Sequence, residues 1–314
     1  MNKRGKCRII KKYETIPDSA EKKGTLPMRT PRVAAIHDLS GFGRCSLTVA
    51  IPVLSAMGVQ CCPLPTAFLS THTGGFTGYT FLDMTDEMPR VARHWASLGL
   101  QFDAIYSGFL GSERQIGIVE DFIAAFRTPR TRVVIDPVMG DDGRAYQTYT
   151  PELCAGMTRL AKLADVITPN LTETAFLLGA DYRDLPGADG RPADEAALCR
   201  LAEELSLGGT RSVALTGASV QSGKTGALCF DRENGKTELV QTTFIAHPLH
   251  GTGDVFASVL TGGLVRGEDL PQAARRAVTF IRRCAERTVA EGLPLREGVD
   301  FEPLLGLLTG TDPL

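Results

Sequence analysis

From Arg32 onward, short apolar runs alternate with amphipathic stretches, and the alternation predicts a layered protein. Runs at Val33–Ile36, Val59–Leu69, Ala104–Phe109, Arg132–Pro137, Val166–Thr168 and Ser212–Thr216 have the length and composition of buried strands. Between them, Cys45–Met57, Met88–Leu98, Glu113–Phe126, Pro151–Leu163, Thr172–Leu178 and Asp194–Leu205 repeat their apolar positions at helical spacing. Strand–helix alternation of this kind predicts an α/β protein with a mostly parallel sheet covered by helices on both faces. Thr225–Asp231 and Thr237–Phe244 flank Glu233-Asn234-Gly235, and Asn-Gly between two strand-like runs predicts a hairpin, hence an antiparallel edge. Two long helical patterns follow, Thr252–Arg266 and Pro271–Glu291. With no internal repeat or linker, residues 31–314 are expected to form a single domain.

Residues 1–30 differ. They hold nine Lys/Arg against three acidic residues, a net +6, with little apolar periodicity, and are expected to be a disordered basic tail. The whole chain carries a formal net charge of -2, which gives no reason to expect nucleic acid or an anionic membrane as partner. No apolar run approaches the roughly 18 residues of a membrane span, and no apolar h-region follows the basic N-terminus. A cytoplasmic location is expected. The eight cysteines include no Cys-x-x-Cys pair, so reduced, mostly buried thiols are expected rather than disulfides or zinc.

In an open parallel sheet, ligands bind beyond the carboxyl ends of the strands. The residues following the apolar runs are His37-Asp38-Leu39-Ser40-Gly41, Ser70 to Gly75, Ser107-Gly108, Asp136 to Asp141, Thr168 to Glu173, and Thr216-Gly217. Gly, Asp and Asn also make ordinary turns. The functional reading rests on the whole set converging at one rim.

The sharpest element is Pro248-Leu249-His250-Gly251-Thr252-Gly253-Asp254, which opens a helical pattern. Glycines at a helix start let backbone N–H groups approach a phosphate, and the helix dipole favours its charge. A carboxylate beside them can take the proton of an attacking alcohol. The competing reading is a capped helix, with Thr252 as N-cap and Asp254 in the first turn. Gly217 to Thr225 imitates a P-loop, but the position six before Lys224 is Ala218, and the residues after it read as strand. It is taken as a loop near the nucleotide.

These residues resemble the ribokinase superfamily, and within it the pyridoxal/pyridoxamine kinases of vitamin B6 salvage, from about Arg32 to about Glu291. Gly251-Thr252-Gly253-Asp254 is similar to the superfamily's anion hole and base, and Asn170 with Glu173 to its Asn-x-x-Glu element. Pro63–Gly74, Ser107-Gly108-Phe109-Leu110-Gly111-Ser112 and Asp136-Pro137-Val138-Met139-Gly140 resemble segments of the B6 kinases. The resemblance implies a ribokinase-like three-layer α/β/α sandwich that uses ATP and Mg²⁺, with a monovalent cation as a further option, and works as a homodimer. Asp254 would be the base that meets the substrate hydroxyl. Gly251, Thr252 and Gly253 would form the anion hole. Asp136, Thr168, Asn170, Glu173, Thr216 and Gly217 would line the ATP side, with Glu173 and Asp136 organising Mg²⁺ through water. Asp38, His72 and Thr73 would meet the vitamer ring.

One position departs from the pattern. Asp38 stands where many pyridoxal kinases have serine, and Asp38-Leu39-Ser40-Gly41 also resembles the Asp-Pro-Ser-Gly-Gly opening of hydroxymethylpyrimidine kinases of thiamine synthesis. That enzyme is the alternative activity. A non-catalytic sensor of B6 vitamers or nucleotides is the alternative from another class.

Overall fold

The computed structural model describes residues 29–188 and 190–310, so most of the basic N-terminal segment lies outside the described residues. The strands are β1 (Arg32–Ser40), β2 (Gln60–Leu69), β3 (Phe81–Asp83), β4 (Ala104–Ser107), β5 (Arg132–Ile135), β6 (Gly140–Asp141), β7 (Arg144–Ala145), β8 (Val166–Ile167), β9 (Ser212–Thr216), β10 (Lys224–Asp231) and β11 (Lys236–Thr243). The helices are α1 (Ser46–Ala56), α2 (Met88–Ser97), α3 (Glu113–Phe126), α4 (Pro151–Ala161), α5 (Leu171–Leu178), α6 (Glu195–Leu205), α7 (Thr252–Val265) and α8 (Leu270–Ala290).

Nine strands form one sheet in the order β11-β10-β9-β8-β5-β4-β1-β2-β3. The six neighbours from β9 to β2 are parallel, and antiparallel pairs close both ends. A strand covered on both faces must be apolar at successive positions, and β1 shows how this works. Val33 and Ala35 join the core beneath α1, α7 and α8, while Ala34 and Ile36 join the core beneath α2, α3, α4 and α6. The result is the expected three-layer sandwich.

Three features depart from the sequence reading. β1 continues beyond Ile36 to Ser40, so His37 belongs to the strand interior rather than the rim. It is fully buried, edge-on to Tyr106 at 4.3 Å between ring centres, and burial pushes its imidazole down to about 3. β3 and the small β6–β7 ribbon were not anticipated, being too short to leave a periodic signature. The predicted hairpin is present, with Asp231 paired to Lys236 across its turn. β10 begins at Lys224, so the P-loop-like stretch leads into a strand and not a helix. Pro63 and Pro65 fit within β2 because β3 pairs only with Ala67, Phe68 and Leu69, leaving the outer side of β2 open at the prolines. Among the described residues, no helix is long and apolar enough to cross a membrane.

Candidate active site

The carboxyl ends of β1, β2, β4, β5, β8 and β9 carry the predicted site residues to one rim, and α7 points its N-terminus toward it. The helix begins differently from five of the others and shares the lack of a side-chain cap hydrogen bond with α1 and α2. Helices α3, α4, α5, α6 and α8 start with an acceptor side chain (Ser112, Thr150, Asn170, Asp194 and Asp269) on a first-turn N–H. In α7 the N-cap is Gly251, not Thr252, and no side chain caps it. Its first-turn N–H groups are therefore left for a ligand or water.

Gly251 is required at this point. Its φ is 76°, and a Cβ there would lie 2.0 Å from the backbone carbonyl oxygen of Arg44. The turn before α7 thus rests directly on the turn before α1. Gly253 has no such constraint, since a Cβ there would meet nothing within 4 Å.

Asp254, in the first turn of α7, faces the backbone N–H of Ser46. Burial pushes its carboxyl up to about 7; the Ser46 N–H opposes the shift, and repulsion from Asp38 adds to it. Asp38 is 5% exposed, at a point where the β1–β2 ladder shifts register between His37 and Leu39. Ser40 Oγ donates to its Oδ2 at 2.9 Å. Burial raises this carboxyl too, opposed by the hydroxyls of Ser46 and Ser40.

A second acidic group sits at the ends of β5 and β8. Asp136 Oδ1 accepts from Thr168 Oγ1 at 2.8 Å, so the Thr168 hydroxyl is engaged by a protein partner. Burial holds Asp136 well above the carboxylate range, and repulsion from Glu173 and Asp254 adds to this. Asn170 and Glu173 form a capping box at the start of α5. Asn170 Oδ1 accepts from Glu173 N, and Glu173 Oε2 accepts from Asn170 N, each at 2.8 Å. Glu173 Oε1 also accepts from Met139 N at 3.2 Å, while Asn170 Nδ2 donates to Gly140 O at 2.9 Å. The pair therefore docks the Asp136 to Asp141 loop onto α5. Burial pushes Glu173 up to about 7. Among the described residues, no group of three His, Cys, Asp or Glu side chains forms a ready metal cage.

His72 stands at the rim with both ring nitrogens bonded to backbone. Its Nε2 bonds the Arg296 carbonyl at 2.8 Å, and its Nδ1 accepts from Gly74 N at 3.1 Å. Both ring nitrogens are engaged by backbone, so the ring can offer a substrate only its surface. Thr73 beside it is exposed. Thr216 and Gly217 lead from β9 to a cleft of about 210 Å³, with Gly217 on its wall among Pro186, Arg191, Lys224, Thr225 and Phe244. Of these, Gly217, Lys224 and Thr225 fall in the stretch that the sequence marks as a loop near the nucleotide; Pro186, Arg191 and Phe244 do not. Lys224 was visible there as part of the P-loop imitation, but a cleft wall drawn from three separate loops leaves no local pattern. Asp141, at the end of the Asp136 to Asp141 rim segment, lies electrostatically close to Glu173; Tyr146, which the sequence did not mark, feels Glu173, Asp141, Asp136 and Asp254 together.

Residues 50–298 match the phosphomethylpyrimidine kinase family. The chain belongs to that family. It is 42% identical to a candidate phosphomethylpyrimidine kinase from Bacteroides thetaiotaomicron whose structure contains pyridoxal; the match covers 91% of this chain and 98% of that one, with a TM-score of 0.84. The pyridoxal kinase of Lactobacillus plantarum is 32% identical over 88% of this chain and 96% of its own, with a TM-score of 0.78. A pyridoxal kinase, PdxY, from Granulibacter bethesdensis is 29% identical over 83% of this chain and 91% of its own length. The ribokinase-like, pyridoxal-kinase resemblance read from the motifs agrees with this family membership.

Proposed function

We propose that the protein transfers the γ-phosphoryl group of ATP to the 5′-hydroxymethyl group of pyridoxal, pyridoxamine or pyridoxine. The observation that carries this reading is the uncapped start of α7, with Asp254 in its first turn beside the rim that holds Asp38 and Asp136.

In this reading the vitamer's alcohol oxygen attacks the γ-phosphorus, the bond to ADP breaks, and the alcohol proton passes to Asp254. The backbone N–H groups of Gly251, Thr252 and Gly253, reinforced by the α7 dipole, meet the charge on the phosphoryl group in flight. The nucleotide occupies the cleft bounded by Gly217, Lys224 and Phe244, reaching the rim past Thr216. Thr168 and Asn170 act by holding Asp136 and the loop that follows it. Asp136 and Glu173 would organise Mg²⁺ through its waters: they are oxygen donors whose mutual repulsion a cation would relieve, and magnesium keeps several waters. Bound there, Mg²⁺ supplies charge neutralisation for the triphosphate. Asp38 and Thr73 face the vitamer ring, and His72 closes that side.

A cytoplasmic, homodimeric enzyme completes the proposal. The seven described cysteines are all free thiols. The β2–β3 edge exposes Phe68, Phe81 and Leu82 at 42%, 50% and 60%, an apolar surface suited to a second copy. One observation favours the pyrimidine as a further substrate: Asp38 provides a buried acceptor for an exocyclic amine. Parallel assays with pyridoxal, pyridoxamine, pyridoxine and hydroxymethylpyrimidine test the reading. Phosphate transfer to a B6 vitamer at the highest kcat/KM is expected. Preference for the pyrimidine transfers the assignment to thiamine synthesis, and ligand binding without any transfer makes the protein a sensor.

A further inference from the structure

Two glycines at positive φ converge on one backbone oxygen in the turn between β1 and α1. A Cβ at Gly251 would lie 2.0 Å from the Arg44 carbonyl oxygen, and one at Gly298, where φ is 88°, would lie 2.8 Å from the same atom. Arg44 N also donates to Glu297 O at 2.9 Å. The turn is therefore held between the Gly251 turn and the segment that follows α8. Two residues further on, Ser46 is 6% exposed and holds a φ of 51°, a strained conformation that persists only where its surroundings fix it. Its N–H faces Asp254.

The Arg44 side chain fixes this turn from the far side. Its Nη2 donates to Asp300 Oδ1 at 2.9 Å, and its Nε reaches the two carboxylate oxygens of Glu302 at 2.9 and 2.8 Å. Glu302 is exposed, so water screens that pair. Asp300 is only 5% exposed and is itself anchored. Its Oδ2 accepts from Arg287 Nε at 2.7 Å, its N–H donates to Thr288 Oγ1 at 2.8 Å, and Val299 and Phe301 beside it join the core beneath α1, α7 and α8. A buried carboxylate held in this way gives the guanidinium a fixed point of attachment.

We propose that Arg44 is a positioning residue for phosphotransfer: its ion pair with Asp300 fixes the turn that backs Gly251 and aims the Ser46 N–H at Asp254. The proposal rests on the phosphotransfer reading and extends the site to the segment after α8, which none of the rim motifs includes.

The test compares wild type with Arg44→Met, Arg44→Lys, Asp300→Asn, Arg287→Gln and the Arg44→Met/Asp300→Asn double variant, each checked for folding by circular dichroism and denaturant unfolding. Arg44→Met keeps an aliphatic stem against Gly298 and removes the charge. It should lower kcat for pyridoxal by about tenfold to a hundredfold with the KM for ATP within about threefold, because a small displacement acts on the transition state more than on binding. Arg44→Lys, which keeps a charge for Asp300, should recover part of that loss. Asp300→Asn should lower kcat to a similar degree, and the double variant should lose little more than either, since both changes remove one contact. Arg287→Gln takes the other arginine from Asp300 without touching the turn, so it should lower stability and leave kcat within about twofold. In Arg44→Met the acid limb of kcat/KM should move to higher pH, because the Ser46 N–H opposes the rise of the Asp254 carboxyl. The titratable groups that act on Asp254 or feel it, Asp38, Cys45, Tyr106, Asp136 and Tyr146, are unchanged in that variant.

A kcat for Arg44→Met within about twofold of wild type overturns the proposal, as does an equal kcat loss in Arg287→Gln, which marks the ion pairs as structural only. Binding of ADP with aluminium fluoride, a stand-in for the phosphoryl group in flight, is titrated beside binding of ADP alone. Arg44→Met should weaken the first about tenfold more than the second, and equal weakening overturns the proposal. If wild type phosphorylates no vitamer, the phosphotransfer reading fails, and this titration still decides whether Arg44 holds the Gly251 turn in place.

Discussion

Replacing Gly251 by alanine tests the proposed anion-hole turn most directly. Two costs follow from its geometry. A side chain at φ 76° occupies the left-handed region, at about 1–2 kcal/mol. The new Cβ would also stand 2.0 Å from the Arg44 carbonyl, a backbone atom that cannot rotate away, and overpacking of this kind costs about 1–3 kcal/mol. Together they predict a loss of about 2–5 kcal/mol, unless the turn shifts outward to relieve the contact. A shift of an ångström would move the N–H groups off the phosphoryl position and cost about a hundredfold in rate. Chemical denaturation and steady-state phosphorylation of pyridoxal measure the two effects. Gly253→Ala is the matched control, because its Cβ meets nothing within 4 Å and alanine favours a helix. It should be as stable as wild type, so any activity it loses reports crowding of the bound phosphate. A Gly251→Ala protein with wild-type stability and turnover would refute the reasoning.

Further outcomes are expected at three residues. Asp254→Asn should lower kcat by about 10²–10⁴-fold while KM for ATP stays within a few-fold; in wild type, kcat/KM should fall as pH drops below about 7, where burial keeps the carboxyl protonated. The same raised carboxyl means that the folded chain holds a proton which the unfolded chain, near 3.8, has released, so its contribution to stability declines as pH rises from about 4 to about 7, and Asp254→Asn should flatten that part of the unfolding profile. Lys224→Ala should raise the KM for ATP by about tenfold without moving that for the vitamer, since Lys224 lines the cleft proposed for the nucleotide and not the Asp38 side. His72→Ala, which leaves the Arg296 carbonyl and the Gly74 N–H without their partner, should cost about 1–3 kcal/mol in denaturant unfolding, more than it costs in turnover.

Much of the architecture was legible along the chain, because strands buried on both faces must be continuously apolar and helices covering them must be amphipathic. The antiparallel hairpin was legible for a local reason as well: Asn234-Gly235 suits a tight turn whatever lies around it. Residues whose chemistry is carried by the backbone of their own segment, Gly251 to Asp254 above all, could also be found by pattern. Other residues named from the sequence make contacts that their motifs alone do not show. Asn170 and Glu173 engage each other's backbone as a capping box, and His72 has both nitrogens occupied by neighbouring loops.

The amino-acid order alone determined the main strands and helices, though not the short β3 and the β6–β7 ribbon, and which glycines and carboxylates could stand at strand ends. Only the tertiary structure decided that Ser46 meets both Asp38 and Asp254, that Arg44 presses on Gly251, and that the cleft beyond β9 takes its wall from three loops. The reason is physical: periodicity and turn chemistry act between near neighbours in sequence. Burial, repulsion between carboxylates and close backbone contact act between residues that only the folded sheet brings together.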